Sequence, residues 1–250
     1  MTPTRGSRTA VGTGGTGGLG TAICALLAQT GHRVVAADLG PLDGRADALR
    51  AAIPGHDVDC VALDVTDFDA CTGAFADIAR RHGDVGILVN AAGITRDGTL
   101  RKMAHPQWRQ VMDVNLDGVF HCTRQVVDGM AAGGFGRIVN ISSVNGQTGQ
   151  FGQTNYAAAK AGMHGFTMSL ARELARKGVP VNSISPGYVD TALVMAMPAN
   201  IRDGIVAQVP VGRLGRADEI ARVVGFLVDD DAGYITGANI PVNGGLFMSF

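Results

Sequence analysis

Short apolar runs alternate with amphipathic stretches along almost the whole chain. The runs Thr9–Thr13, Arg33–Asp38, Asp57–Asp64, Gly86–Asn90, Gly136–Ser142, Pro180–Ser185 and Asn239–Val242 read as strands. Between them the pattern predicts helices over Gly18–Thr30, Ala46–Ala52, Asp67–Arg81, Pro106–Met130, Asn155–Arg176 and Ala217–Val228. Val34-Val35-Ala36-Ala37 is apolar at consecutive positions, as in a strand buried on both faces. Strands alternating with helices imply βαβ units. The expected fold class is therefore α/β: one domain over residues 1–250, a doubly wound parallel sheet with helices on both faces. Tyr188–Arg213 breaks the alternation and has weak periodicity. Such an excursion after a strand suits a substrate lid, or else a surface loop with a short helix.

Composition narrows the function classes. Hydrophobic residues make up 46% of the chain, enough for a sizeable core, and 36 glycines suit tight turns. The net charge is −1 with no basic run, so no nucleic-acid partner is expected. Cys24, Cys60, Cys71 and Cys122 form no CxxC pair and no metal-like cluster with His. No metal is expected, and a reduced, cytoplasmic setting is the simplest expectation. Met1–Arg8 is short and polar, and no stretch has transmembrane length, so no membrane partner is expected either.

Thr13-Gly14-Gly15-Thr16-Gly17-Gly18-Leu19-Gly20 follows the first strand and opens the first helix. Glycines there let the backbone approach a pyrophosphate, and the helix N-terminus favours its negative charge. Alone, such a loop is equally a turn. Asp38 ends the second strand, eighteen residues after Gly20. Its carboxylate suits both adenosine ribose hydroxyls and repels a 2′-phosphate, and the loop has no Arg or Lys to offset it. This favours NADH, with NADPH possible, on a Rossmann-type sheet. Asp64-Val65 ends the third strand, where a side chain can meet an adenine ring, and the small residues of Asn90-Ala91-Ala92-Gly93 leave space at the end of the fourth. Singly, each position is as well explained by structure.

Tyr156 and Lys160 are four residues apart in a predicted helix and so share a face, and Ser143 lies thirteen residues before Tyr156. A cation at roughly 4 Å with an effective dielectric near 20 is worth about 4 kcal/mol, a ceiling of about three pKa units on the phenol. Tyr156 then serves as general acid, Ser143 holds the carbonyl oxygen, and Lys160 also suits the nicotinamide ribose. Tyr-x-x-x-Lys alone fits an ordinary helix face. Asn115 is polar on a largely apolar helix, where it can bend the helix and hold a water relaying protons to Lys160, or be a satisfied core amide.

These residues together resemble the short-chain dehydrogenase/reductase family over almost the whole chain. The family's Thr-Gly-x-x-x-Gly-x-Gly loop falls on Thr13, Gly14, Gly18 and Gly20, and its Asn-Ser-Tyr-Lys set on Asn115, Ser143, Tyr156 and Lys160. Its Pro-Gly turn falls on Pro186-Gly187, followed by Val189 and Thr191, which the resemblance places against the nicotinamide carboxamide. Two departures are Gly12, where a bulky strand residue is usual, and Ala91, in place of the second Asn of Asn-Asn-Ala-Gly. Gly93-Ile94-Thr95-Arg96-Asp97, the run Val144 to Tyr156 and Ser185-Pro186-Gly187-Tyr188 look like one group in the family, the acetoacetyl-CoA reductases of polyhydroxybutyrate synthesis. That resemblance implies an acyl site at Gln150, Phe151 and Gln153, with Asp97 and Tyr188 nearby. The amides then hold thioester and pantetheine carbonyls, while Phe151 and Tyr188 limit acyl length. It also implies an acyl-CoA substrate and a homotetramer built on the long helices near Pro106–Met130 and Asn155–Arg176. Many members of the group prefer NADPH, a habit from which Asp38 departs. The alternatives are a 3-oxoacyl-carrier-protein reductase, a broader secondary-alcohol dehydrogenase, or a dinucleotide sensor without turnover. Arg96, Arg101 and Lys102 suit a carrier protein and CoA phosphates equally.

Overall fold

The structure is a computed structural model and describes residues 6–56 and 58–248. In chain order it runs β1 (Thr9–Thr13), α1 (Gly18–Gln29), β2 (Arg33–Asp38), α2 (Arg45–Ala52), β3 (Val58–Ala62), α3 (Phe68–His82), β4 (Val85–Asn90) and α4 (His105–Met112). A π-helical turn at Asp113–Asp117 leads into α5 (Gly118–Gly133), β5 (Arg137–Ile141), α6 (Asn145–Thr148), α7 (Thr154–Leu174) and β6 (Val181–Pro186). Then follow α8 (Ala192–Met195), α9 (Ala199–Val206), α10 (Ala217–Val228) and β7 (Asn239–Val242). The seven strands are parallel, in the order β3-β2-β1-β4-β5-β6-β7. The order reverses between β1 and β4, where open α/β sheets bind ligands.

Alternation along each strand divides the core between the two faces of the sheet. Ala10, Val34 and Ala36 pack with Ile23 and Leu27 of α1 and Ile220, Val224 and Leu227 of α10. Val11, Val35 and Ala37 pack on the opposite face with Phe75 and Ile78 of α3, Val126 and Met130 of α5 and Leu174 of α7. A leucine as buried as Leu27 contributes about 1.5–3 kcal/mol. Gly12 has a local cause: a Cβ there would lie 3.3 Å from the Cys24 sulfur, which occupies that space.

A polar chain crosses the second core. Asn90 Nδ2 donates to Thr123 Oγ1 at 3.1 Å and to Asn140 Oδ1 at 2.9 Å, and Asn140 Nδ2 donates to Thr167 Oγ1 at 2.9 Å. All four residues are buried, so these bonds tie α5 and α7 to adjacent strands.

Two expectations require correction. The helix expected over Pro106–Met130 is interrupted at Asp113–Asp117, because the buried Asn115 bonds sideways to Ile94. β3 stops at Ala62 rather than Asp64: Leu63 N–H makes the last rung to the Asp38 carbonyl, and the Asp64 carboxylate turns onward to Thr66. Asp57, the expected start of that strand, lies outside the described residues. Tyr188–Arg213 is partly helical, containing α8 and α9. No helix among the described residues is long and apolar enough to cross a membrane, and no cluster of metal-ligating side chains occurs among them.

Candidate active site

The carboxyl ends of the strands open onto a cavity of about 460 Å³. Leu19, Ala91, Gly93, Pro186, Gly187, Val189 and Thr191 line it beside Ser143, Tyr156, Lys160, Asp97, Gln153 and Tyr188. Residues far apart in sequence thus share one wall because each follows a strand of the same sheet.

Lys160 is the most constrained of them. Its side chain is buried, and Nζ donates to the Ile141 carbonyl at the end of β5 at 2.7 Å. Ser142 Oγ donates to the Lys160 carbonyl at 2.9 Å, so α7 is held at backbone and side chain alike. Gly146 permits this approach: a Cβ there would sit 2.9 Å from the Lys160 carbonyl carbon. Burial lowers the Lys160 ammonium to about 8.

Tyr156 differs from the sequence expectation. Its ring centroid lies 5.7 Å from Lys160 Nζ. Burial raises the phenol above its ordinary value. A hydrogen bond from Ser143 opposes that rise, while the Asp97 carboxylate and Tyr188 add to it. The lysine therefore does not depress the phenol within the protein alone, because desolvation acts on both partners. Ser143 Oγ accepts the Asn145 N–H at 3.2 Å, and its one hydrogen, directed at the Tyr156 oxygen in the protein alone, can turn to a substrate oxygen in the cavity.

Asn115 also differs. Its Oδ1 accepts the Ile94 N–H at 2.9 Å and its Nδ2 donates to the Ile94 carbonyl at 2.8 Å. The side chain clamps the chain as it leaves β4 and keeps a second amide hydrogen and a second lone pair. It flanks Gly93 together with Lys160: a Cβ on Gly93 would lie 2.7 Å from Asn115 Oδ1 and 3.6 Å from Lys160 Nζ.

The Gly-rich loop fits a dinucleotide. Gly14 has φ of 63°, and a Cβ there would meet the Ala92 backbone at 2.9 Å. A Cβ on Gly20 would overlap the Gly14 carbonyl. Gly17 caps α1 without a side-chain acceptor, leaving the helix's opening N–H groups for an anion. Thr13 Oγ1 accepts the N–H groups of Ala91 and Ala92, both at 3.1 Å, and so joins this loop to the end of β4. Thr191 approaches from the Tyr188–Arg213 segment, 3.4 Å from where a Gly18 Cβ would be.

Asp38 is more occupied than expected. Its Oδ2 accepts Thr16 N–H at 3.0 Å and Thr16 Oγ1–H at 2.6 Å, and its Oδ1 accepts Leu39 N–H at 2.8 Å. A carboxylate has about four acceptor positions, so one remains for a ribose hydroxyl rather than two. Arg45 of α2 stands 3.5 Å from Oδ1, a cation that the loop sequence did not reveal.

A model of a protein family described as enoyl-(acyl carrier protein) reductase matches residues 12–247. An acetoacetyl-CoA reductase of Allochromatium vinosum is 54% identical, over 97% of this chain and 99% of that protein. One of Cupriavidus necator is 51% identical, over 96% and 98%. A 3-oxoacyl-[acyl-carrier-protein] reductase of Pseudomonas aeruginosa is 41% identical, over 97% and 98%. The chain belongs to the short-chain dehydrogenase/reductase family. It is accordingly an oxidoreductase with a nicotinamide cofactor.

Several positions that the family pattern suggested stand apart from the cavity. Gln150 and Phe151 do not line it, and Phe151 is 88% exposed. The cause is the pair of positive-φ glycines at 149 and 152, which turn the segment outward. The Asp64 carboxylate is engaged by Thr66 N–H at 2.9 Å and Thr66 Oγ1–H at 2.7 Å, and Val65 packs on Gly118. Neither borders the cavity. Asn90 is held within the polar chain of the core. Ala91, the departure from Asn, does line the cavity and packs on the α1–α10 core.

Sequence reasoning missed Asn145, Val194, Ala196 and Met197, all of which line the cavity. Asn145 Nδ2 donates to Gln153 Oε1 at 2.8 Å, and Gln153 Nε2 donates to Asp97 at 3.0 Å. Asn145 was readable as a polar residue two positions after Ser143. The other three lie in Tyr188–Arg213, which has no periodic signal.

The Lys160 environment yields a stability prediction. Lys160 gives up its proton at about 8 in the folded chain, against an ordinary 10.5. Between those values the unfolded chain binds a proton that the folded chain does not, so this group makes stability rise with pH there. Below that window its burial costs roughly 3 kcal/mol. Lys160→Met removes this cost but leaves Ile141 without its donor, a loss of about 1–2 kcal/mol. By urea unfolding, the variant gains most over wild type below pH 8 and progressively less towards 10.5. A difference independent of pH would refute the burial cost.

Proposed function

We propose that the chain reduces acetoacetyl-CoA, and short 3-oxoacyl-CoA thioesters generally, to (R)-3-hydroxyacyl-CoA, with NADH favoured. The observation that carries this reading is a single cavity with Ser143 and Tyr156 on one wall and the Asn145–Gln153–Asp97 chain beside them. Gln153 keeps a second amide hydrogen for a thioester or pantetheine carbonyl. Tyr188, Val194 and Met197 bound the space left for the acyl chain. Relatives named acetoacetyl-CoA reductase at 47–54% identity support this substrate.

A reduced nicotinamide, when bound, supplies the hydride. Leu19, Gly93 and Pro186–Thr191 would hold it, with the glycine cradle on its pyrophosphate. Ser143 donates to the carbonyl oxygen, and Tyr156 delivers a proton to that oxygen as the carbonyl carbon is reduced. The raised phenol suits this direction, because Tyr156 stays protonated through neutral pH. Lys160 sits where a ribose hydroxyl can meet its ammonium. The carrier-protein alternative draws on exposed Arg101 and Lys102 beyond the mouth.

The decisive assay is kcat/KM for acetoacetyl-CoA and for an acetoacetyl carrier protein. The CoA ester should be turned over at least as well, and Tyr156→Phe should lower kcat by roughly 10²–10⁴-fold. Turnover of neither thioester, or full activity in the variant, would sink the reductase reading.

The NADH preference rests on the charge of Asp38, moderated by Arg45. Asp38→Asn should move the NADPH-to-NADH ratio of kcat/KM upward, and Arg45→Ala should move it downward, each about tenfold. No movement in either variant would remove electrostatics as the basis of preference.

The homotetramer is proposed on two exposed apolar surfaces. Phe68 and Phe120 stack on α3 and α5 with centroids 6.2 Å apart, and Met168 is exposed on α7. Light scattering should give four times the chain mass, and Phe120→Asp should shift it down. A monomeric wild type would count against the assembly.

A further inference from the structure

His164 lies one turn beyond Lys160 on α7, along the line that carries Tyr156 and Lys160. The chemistry above does not use it. Its half-buried ring places Nε2 3.2 Å from Ser185 Oγ. Ser185 is fully buried and donates to Asn239 Oδ1 at 2.9 Å, and Ser183 donates to the same oxygen at 2.9 Å. A serine hydroxyl has one hydrogen, so Ser185 can meet the imidazole only as an acceptor. Nε2 therefore carries the hydrogen, and the neutral ring suffices for the bond. Ser185 immediately precedes Pro186 and Gly187, which line the same cavity as Tyr156. The bond thus joins the helix bearing the acid to the strand end facing the cofactor, with Asn239 of β7 behind it.

We propose that His164 is a positioning residue for the reduction, holding α7 in register with the end of β6 as a neutral imidazole. Neutrality matters because a second cation one turn from Lys160 would oppose the Lys160 charge. Burial and Lys160 both press His164 below its ordinary value. Lys160 is the charge that acts on the ring from α7, and the β6 and β7 side chains in its hydrogen-bond network, Ser183, Ser185 and Asn239, are neutral.

The proposal rests on the reductase reading, so the test uses the intact enzyme with acetoacetyl-CoA and saturating reduced cofactor, from about pH 5 to about pH 8. His164→Leu should lower kcat about tenfold or more while KM for the thioester changes little. His164→Gln, whose amide can reach Ser185, should recover most of that loss. Wild-type kcat should fall on the acid side as His164 takes a proton, and the glutamine variant should lack that fall. Thermal unfolding of each variant separates the effects, because a kcat loss matching the unfolded fraction would make His164 merely structural and overturn the proposal. A leucine variant with wild-type kcat, or an unchanged acid limb in the glutamine variant, would also overturn it. A wild type without turnover overturns the reductase reading and this proposal together, whereas an active wild type with indifferent variants overturns the proposal alone.

Discussion

The site depends on one buried ammonium. Lys160 has left water, and its Nζ donates to a single main-chain carbonyl, that of Ile141. An ammonium in that position is costly unless its surroundings over-determine it. They do: Ser142 holds the Lys160 carbonyl, Gly146 allows the backbones together, and Asn140 holds Thr167 two turns further along. These contacts place α7 at the carboxyl ends of β5 and β6, and Tyr156 takes its position from that placement. The acid's location therefore follows from the lysine's confinement more than from any contact of the phenol itself.

The same confinement sets the electrostatics. Desolvation raises Tyr156 and lowers Lys160, so the protein alone favours the uncharged form of each. A phenol kept protonated suits donation to a carbonyl oxygen. Ser143 partly counters the rise by donating to the oxygen that gives up the proton. The Coulomb ceiling of about three units is not reached within the protein alone, because burial of both groups opposes it.

Most of the fold was legible in the sequence. Seven strands and their order of alternation followed from apolar runs bounded by glycine and proline, because strands buried on both faces leave continuous apolar runs. The residues gathered in the cavity were legible wherever they sit directly after a strand, as do Gly93, Ser143, Pro186 and Gly187. What stayed hidden depended on side chains meeting across the fold. Periodicity continues through Asp113–Asp117, where the polar Asn115 signalled a bend but not its partner Ile94, twenty-one residues away. Arg45 lies outside the loop searched for cations and reaches Asp38 only because α2 folds back. The outward turn of Phe151 rests on two glycine backbone angles, and composition alone does not say which way such a turn points.

The two cores also explain how the site divides its tasks. The Gly-rich loop rides on α1, which packs with α10 on one face of the sheet. Val126 of α5 and Leu174 of α7 pack on the other, where the catalytic helix is anchored. The halves meet at the strand ends, through Thr13 on Ala91 and Ala92 and through His164 on Ser185. Asp38 and Arg45, on which the proposed cofactor preference rests, lie on the first half and do not line the cavity that holds Ser143 and Tyr156. Those bordering the acyl space, Gln153 and Met197, belong to loops beyond the second. Distant sites without shared partners act independently, so cofactor preference and acyl preference are separate variables in this fold. Each can change without displacing Lys160, and that is the condition under which either change preserves the chemistry.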